Sequence, residues 1–402
     1  MINALKNERI FLIVIALFKC LPTFALDTYS PAIPEIASFF LVNQPAVLKT
    51  FTSYYLGFAL GILIWGTLSD IYGRKPILQV GAILYVISSI LCPLSNSLNE
   101  LVLARFGQGL GDAACATVAI AILRDCYSGS KLLKTMSNIG SFAMLAPIIA
   151  PVIGTTIMSI TRQWQYIFHF LTIYGVILLI FSQLMSETLE LKNRSEGLWH
   201  GFRQYLLHSK NHTFMLFTFS VAMICAAELS FVSASAIIYM KIFQLTKWQY
   251  AMYFALNGLI IIFANQVTKK LVDLMDAVSI TRLAILFAFL NLLIAYLILK
   301  FVILNLSIFI IAMCLSTFFL SICANTTGTM CLQSVKESFG TAIAIKNFLA
   351  VFCAGIANYI VTKFTYSHIT TSLILMQVIL LIIASLIILP KLSKTDKLRM
   401  SS

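Results

Sequence analysis

The chain has 402 residues, 60% of them hydrophobic and 11% charged, with a formal net charge of +13. Soluble domains average about 45–50% apolar and about 25% charged residues, so a water-soluble domain is excluded and lipid must solvate most of the surface. The positive balance does not indicate a nucleic-acid partner, because its distribution along the chain has a membrane explanation.

A helix needs roughly 20 apolar residues to cross a bilayer. Twelve such stretches follow one another, near 10–31, 51–68, 76–95, 98–122, 135–158, 165–185, 212–238, 249–267, 283–299, 304–330, 340–361 and 369–389. Runs such as 375–389 do not alternate apolar and polar residues as barrel strands would, so the spans are read as helices. The first run could pass for a signal peptide, with Lys6 and Arg9 before it and Thr23-Phe24-Ala25 near its end. Lys19 interrupts it, the apolar stretch resumes towards Ser30, and cleavage would leave an odd number of spans. It is therefore read as an uncleaved first helix.

Between the second and third runs stands 66–78, GTLSDIYGRKPIL. Such a short charged turn predicts a helical hairpin at one membrane face, and Arg74 with Lys75 assign it to the cytoplasmic face. With the amino terminus inside, inner segments hold 19 of the 28 Lys and Arg and outer loops hold 6. The remaining three, Lys19, Arg105 and Lys346, fall within apolar runs. This asymmetry is the positive-inside pattern, and an even number of spans predicts that both termini are cytoplasmic.

The longest polar segment, 186–211, carries Lys192, Arg194, Arg203 and Lys210 and separates six spans from six. The predicted organisation is an N-terminal six-helix bundle at 1–185, a cytoplasmic linker at 186–211, a C-terminal bundle at 212–390 and a cytoplasmic tail at 391–402. Duplicated halves are common in transporters. The second-half turn at 268–282 reads as a degraded copy of the sharp first-half turn. Its Asp273 and Asp276 form a D-x-x-D that invites a metal–diphosphate reading, but the motif occurs once and has basic neighbours. The nine cysteines are scattered without a C-x-x-C pair, and no two of the five histidines have metal-ligand spacing. Free thiols, no metal and no cofactor are expected.

Motifs along the first half resemble the Bcr/CflA-type drug:proton antiporters of the major facilitator superfamily. The 66–78 string resembles G-x-L-x-D-x-x-G-R-K-x-x-L, with Gly66, Asp70, Gly73, Arg74 and Lys75 in place. Residues 26–34, LDTYSPAIP, resemble D-x-Y-x-P-A-x-P of the first span. ARFGQG at 104–109 resembles the R-x-x-Q-G of the fourth span, which ends in Arg124-Asp125. APIIAPVIG at 146–154 resembles the fifth-span antiporter motif, with Pro147, Pro151 and Gly154. SETL at 186–189 resembles P-E-T-L, and Gly340-Thr341-Ala342 resembles the start of the eleventh span. The resemblance covers most of 26–190 and is thin in the second half. It implies two six-helix bundles around a central cavity and a bacterial inner membrane, and it does not name a substrate. Ile71 replaces an Arg that many relatives carry.

Ionisable groups inside spans are costly and usually face a cavity or a partner. Counting about 1.5 Å per residue from the inner helix ends places Asp27 and Arg105 at about 26 Å depth. They are predicted to pair across the first and fourth spans as the proton-coupling site. Lys19 and Asp112, which depart from the family pattern, both fall near 14–15 Å and predict a second ion pair one layer below. Glu228 in the seventh span is about as deep as Asp27 and is a candidate cation or proton site, or a structural hydrogen-bond acceptor. Lys346 can snorkel to the inner face. Gly66, Asp70, Gly73, Arg74, Lys75, Arg124 and Asp125 read as cytoplasmic gate residues.

GQGLG at 107–111 follows no strand, so close helix packing is expected rather than a dinucleotide loop. Tyr29, Tyr54, Tyr55 and Gln108 are candidates to line a substrate cavity. Tyr239, Trp248 and Tyr250 could serve likewise, or could anchor the helices at the interface.

The reading that follows is a proton-driven exporter of small, in part lipophilic molecules, working by alternating access as a monomer. A proton-coupled importer or exchanger of a metabolite is the nearest alternative, and only the fifth-span motif argues against it. A non-transporting sensor would need an output domain, and the longest segment outside the spans is 186–211. An enzyme would need a clustered catalytic set, and none is visible.

Overall fold

A computed structural model describes residues 7–195, 197–302, 304–335, 339–361, 363 and 369–400. Twelve of its helical segments are long and apolar enough to cross a membrane, and no strand occurs among the described residues. The chain divides into two units. The first comprises 1–205 and 247–252, and the second comprises 206–246 and 253–402.

In the first unit, α1 (Glu8–Asp27) starts on Asn7, whose side chain accepts from the Arg9 N–H. It ends before the Thr28-Tyr29 turn, because Pro31 and Pro34 cannot continue a regular helix. A short 3₁₀ turn (Ser30–Ala32) then leads into α2 (Ile33–Phe39). The second span is α3 (Gln44–Val47), capped by Asn43, followed by α4 (Lys49–Tyr72). Gly73, at φ +105°, makes the sharp turn into α5 (Arg74–Leu91), a backbone angle that side chains beyond glycine rarely adopt. A capping box starts α6 (Leu98–Cys126): Ser97 accepts from the Glu100 N–H, and Glu100 accepts from the Asn96 N–H. The fifth span breaks at Met144-Leu145 between α7 (Gly129–Ala143) and α8 (Ala146–Thr161), with Pro147 in the first turn of α8 and Pro151 inside it. The two turn residues keep right-handed helical backbone angles, so the span continues through the break. The sixth span is α9 (Gln165–Leu184).

Small residues decide how these helices pack. A Cβ on Gly109 would run into the Tyr54 carbonyl of α4, and one on Gly61 would meet Ala113. On the other side of α6, a Cβ on Gly81 would meet Ala114, and one on Gly111 would meet the Tyr85 backbone at 2.5 Å. A Cβ on Gly154 would strike the Thr28 carbonyl, so α8 lies against the break after α1. Gly109→Ala is expected to force α4 from α6 and to cost about 1–3 kcal/mol, as overpacking does. Thermal unfolding of the purified variant in detergent measures this, and an unchanged midpoint would refute the packing argument.

The linker contains two short helical elements. It forms a 3₁₀ turn at Leu191–Asn193 and then α10 (Leu198–Lys210). Tyr205 of α10 donates to the Leu63 carbonyl at 3.4 Å, and burial pushes its phenol above the ordinary tyrosine range.

The second unit is built on α11 (His212–Ile237), which Asn211 caps and which ends in a wider π-type turn (Ile238–Ile242). It contains α12 (Lys247–Leu274, from Tyr253), α13 (Ala277–Phe301), α14 (Leu306–Gln333), α15 (Phe339–Val361) and α16 (Ile369–Met400). Helix α14 carries a ladder of polar ties: Asn291 to Ser316 at 2.8 Å, Thr317 to Asn257 at 3.0 Å and Thr326 to Thr281 at 2.7 Å. Asp276 caps α13, and the Ser279 side chain holds its carboxyl below the usual carboxylate range. The D-x-x-D aspartate is therefore a helix cap. The last helix continues to Met400, well past the end of the apolar run.

Candidate functional site

The interior of the first unit is organised around Arg105. Its side chain is wholly buried on α6, and Asp27 is 5% exposed at the end of α1. The predicted ion pair between them does not form among the described residues. Arg105 Nη1 instead donates to the Ala25 carbonyl at 3.1 Å and to Gln108 Oε1 at 2.5 Å. The last carbonyls of a helix have no partner within it, so stopping α1 at Asp27 creates an acceptor at the depth where the guanidinium arrives. The guanidinium carbon also lies 4.5 Å from the Tyr54 ring centroid, 4.9 Å from Tyr29 and 6.0 Å from Phe168. Such a cage attracts a desolvated cation through the ring quadrupoles. Gln108 is held in turn by Ser89 at 2.8 Å, and the Tyr29 hydroxyl pairs with Thr50 at 3.0 Å.

Three of the four residues assigned to a substrate cavity, Tyr29, Tyr54 and Gln108, are thus spent on seating Arg105. Tyr55, buried, stacks edge-on against Tyr54. The second predicted pair is also replaced. Asp112 is fully buried, and its Oδ2 accepts from the Tyr54 hydroxyl rather than from Lys19. Lys19 and Arg105 are close enough for their charges to act on it. Residue counting matched the level of Arg105 to the end of α1, where it meets Ala25, and that of Asp112 to Lys19, whose charge acts on it. The close approach of α4 to α6 through Gly109 then gave Asp112 a neighbour on α4.

The 66–78 turn builds a second cluster. Arg74, 8% exposed, donates to Ser69 at 2.8 Å, to Asp70 at 2.5 Å and to Asp125 at 2.9 Å. Thr188 adds a bond to Asp125 at 3.0 Å. Glu187 receives the backbone N–H of Arg74 at 2.9 Å and of Lys75 at 3.2 Å, and those of Thr188 and Leu189, both at 2.9 Å. A carboxylate at a helix start satisfies unpaired donors and the positive dipole end together. Glu187 was absent from the predicted gate set, although the SETL resemblance marked its position. Lys75 Nζ reaches the Gln183 carbonyl at 2.8 Å. Gly66 lies beside the Tyr205 hydroxyl, where a Cβ would sit 3.5 Å away. Arg124 feels the charges of Arg74 and Asp125 but shares no hydrogen bond with them.

In the second unit Glu228 is half-buried and accepts from Ser321 of α14 at 2.6 Å. Glu228 and half-buried Lys346 both act electrostatically on Cys225. Trp248 is 48% exposed, as an interfacial anchor would be, whereas Tyr239 and Tyr250 are wholly buried and cannot anchor at a lipid surface.

The sequence matches the Major Facilitator Superfamily over residues 15–358. It is 32% identical over 292 residues to a bicyclomycin resistance protein homolog of Haemophilus influenzae, covering 72% of this chain and 73% of that one. It is 30% identical over 254 residues to the multidrug resistance protein MdtL of Klebsiella pneumoniae, covering 63% and 64%. Among solved structures, a D-xylose–proton symporter superposes with a TM-score of 0.72 at 13% identity, covering 94% of this chain and 97% of that chain.

Proposed function

We propose, from the premise that this chain belongs to the Major Facilitator Superfamily and is a transporter of small molecules rather than an enzyme, that it exports its substrates in exchange for protons. The observation that carries this reading is Asp27, an acid buried at a helix break with no hydrogen bond or ion pair among the described residues. The names of the relatives, for resistance to bicyclomycin and to multiple drugs, support export of small, in part lipophilic compounds. The xylose symporter likeness speaks to fold alone. In this reading the protein works as a monomer in the bacterial inner membrane with both termini cytoplasmic, as the basic asymmetry of its loops supports.

Protonation neutralises Asp27 and removes a charge from the membrane interior; the substrate then competes with the proton. Alternating access converts that competition into exchange. One charge crossing 100 mV releases about 2.3 kcal/mol, and a tenfold uphill gradient costs about 1.4 kcal/mol. One proton per neutral molecule therefore suffices. No cofactor is required, because the proton gradient is the energy source.

The test is substrate-induced proton release from purified protein in weakly buffered detergent. Bicyclomycin and tetraphenylphosphonium serve as the neutral and cationic probes. Release from wild type that Asp27→Asn abolishes is the expected result. Silence from a folded wild type with both probes, together with proton-dependent accumulation in cells, would move the assignment to an importer.

A further inference from the structure

We infer that Asp112 is a second proton-exchanging acid of the N-terminal unit, positioned by Tyr54 and balanced by Arg105 and Lys19. The inference deepens the proton-coupled reading and rests on it for the role of the proton, but not for the site.

Three buried side-chain polar atoms on α6 lack a hydrogen-bond partner among the described residues: Asp112 Oδ1, Arg105 Nε and Arg105 Nη2. Asp112 and Arg105 are seven residues apart, two helical turns and about 10.5 Å along one face. Tyr54 spans the interval, its ring under the guanidinium and its hydroxyl on Asp112 Oδ2. A permanently ionised carboxylate this deep should collect donors on both oxygens, as buried polar groups do. A permanently neutral one should direct its own hydroxyl at an acceptor. Among the described residues Asp112 has one partner: its Oδ2 meets the Tyr54 hydroxyl, which can donate or accept, and its Oδ1 is open to a proton, which suits a group that occupies both states.

The groups facing Asp112 agree. Tyr54 approaches from α4, Tyr85 from α5, Lys19 from α1 and Tyr174 from α9, with Arg105 and Cys115 on its own helix. The phenols and the thiol carry no charge near neutrality. Asp27 and Asp112 with Lys19 and Arg105 then give an interior of zero net charge when both acids are ionised. A proton taken from water adds at Oδ1 and forms the carboxylic acid, while Tyr54 keeps its own proton and its hydrogen bond to Oδ2; release is the reverse. Each such step changes the interior charge by one, so a cationic substrate and the proton oppose each other. Asp112 has no exposed surface in this conformation. Its proton therefore exchanges only when the helices rearrange, and a carried proton does not leak.

Acid-minus-alkaline infrared difference spectra of the full chain in detergent test this with the proton itself as the probe. The expected spectrum contains a protonated-carboxyl C=O band that Asp112→Asn removes, Asp112→Glu retains and Asp27→Asn leaves in place. The Tyr54 hydrogen bond is stronger to the carboxylate than to the neutral acid, so Tyr54→Phe should raise the band's midpoint by about one to two pH units. Size-exclusion profiles establish that each variant is folded. Identical spectra from wild type and folded Asp112→Asn would overturn the site, and an unmoved midpoint in Tyr54→Phe would overturn its positioning role. Because the titration uses no substrate, an intact band without substrate-induced proton release would sink the exporter reading alone. Proton-coupled export without the band would sink Asp112 alone.

Discussion

Arg105→Lys is expected to keep the charge and still lose about 3 kcal/mol of stability, together with all substrate-driven proton exchange. The guanidinium makes two hydrogen bonds while lying against the Tyr54, Tyr29 and Phe168 rings. An ammonium is a compact point charge that cannot bond and stack in one plane. Losing one charge-assisted hydrogen bond costs about 1.5–3 kcal/mol, and weakening a desolvated cation–π contact up to about 2 kcal/mol. Arg105→Met separates the two roles. It fills the cage without a buried charge, a replacement often tolerated in stability, yet it removes the counter-charge of the acids. Thermal unfolding read beside proton release decides the matter. A lysine variant with wild-type stability would show that the cage does not depend on guanidinium geometry. A methionine variant that still exchanges protons would show that the charge is dispensable.

Arg74→Ala is expected to lose about 2–3 kcal/mol and to cut export by about tenfold or more. Removing one partner of a buried ion pair costs about 3–5 kcal/mol. The lower figure applies here because the Asp70 side chain is 54% exposed and water screens it. A bias of about 1.4 kcal/mol between conformations already shifts their populations tenfold. The start of α5 should survive, since Glu187 binds the backbone N–H of residue 74 and not its side chain. Asp125→Asn should be milder, because an amide oxygen still accepts from Arg74 Nε. Efflux from everted vesicles and unfolding midpoints give both quantities. Equal export by wild type and Arg74→Ala would remove the cluster from the transport cycle.

The second unit was much less legible. Glu228 could be picked out as an acid in an apolar run, but its partner Ser321 could not, because serines are common on membrane helices. Glu187 was missed for the opposite reason: an exposed acid after a span looks like ordinary solvated charge until its four N–H partners are seen.

What the sequence determined by itself is one-dimensional. Run length set the number of spans, basic residues marked the 66–78 turn, Gly73 and the prolines placed the breaks, and counting residues put the charges in two layers. Which side chain meets which is a matter of azimuth and approach distance. Both depend on where glycines let backbones touch and where a helix ends. Stopping α1 at Asp27 handed Arg105 a backbone carbonyl in place of a carboxylate. Crossing at Gly109 brought Tyr54 to Asp112 ahead of Lys19. Tertiary packing alone made those choices, because charges in one layer still compete for partners, and the helix that approaches most closely supplies them.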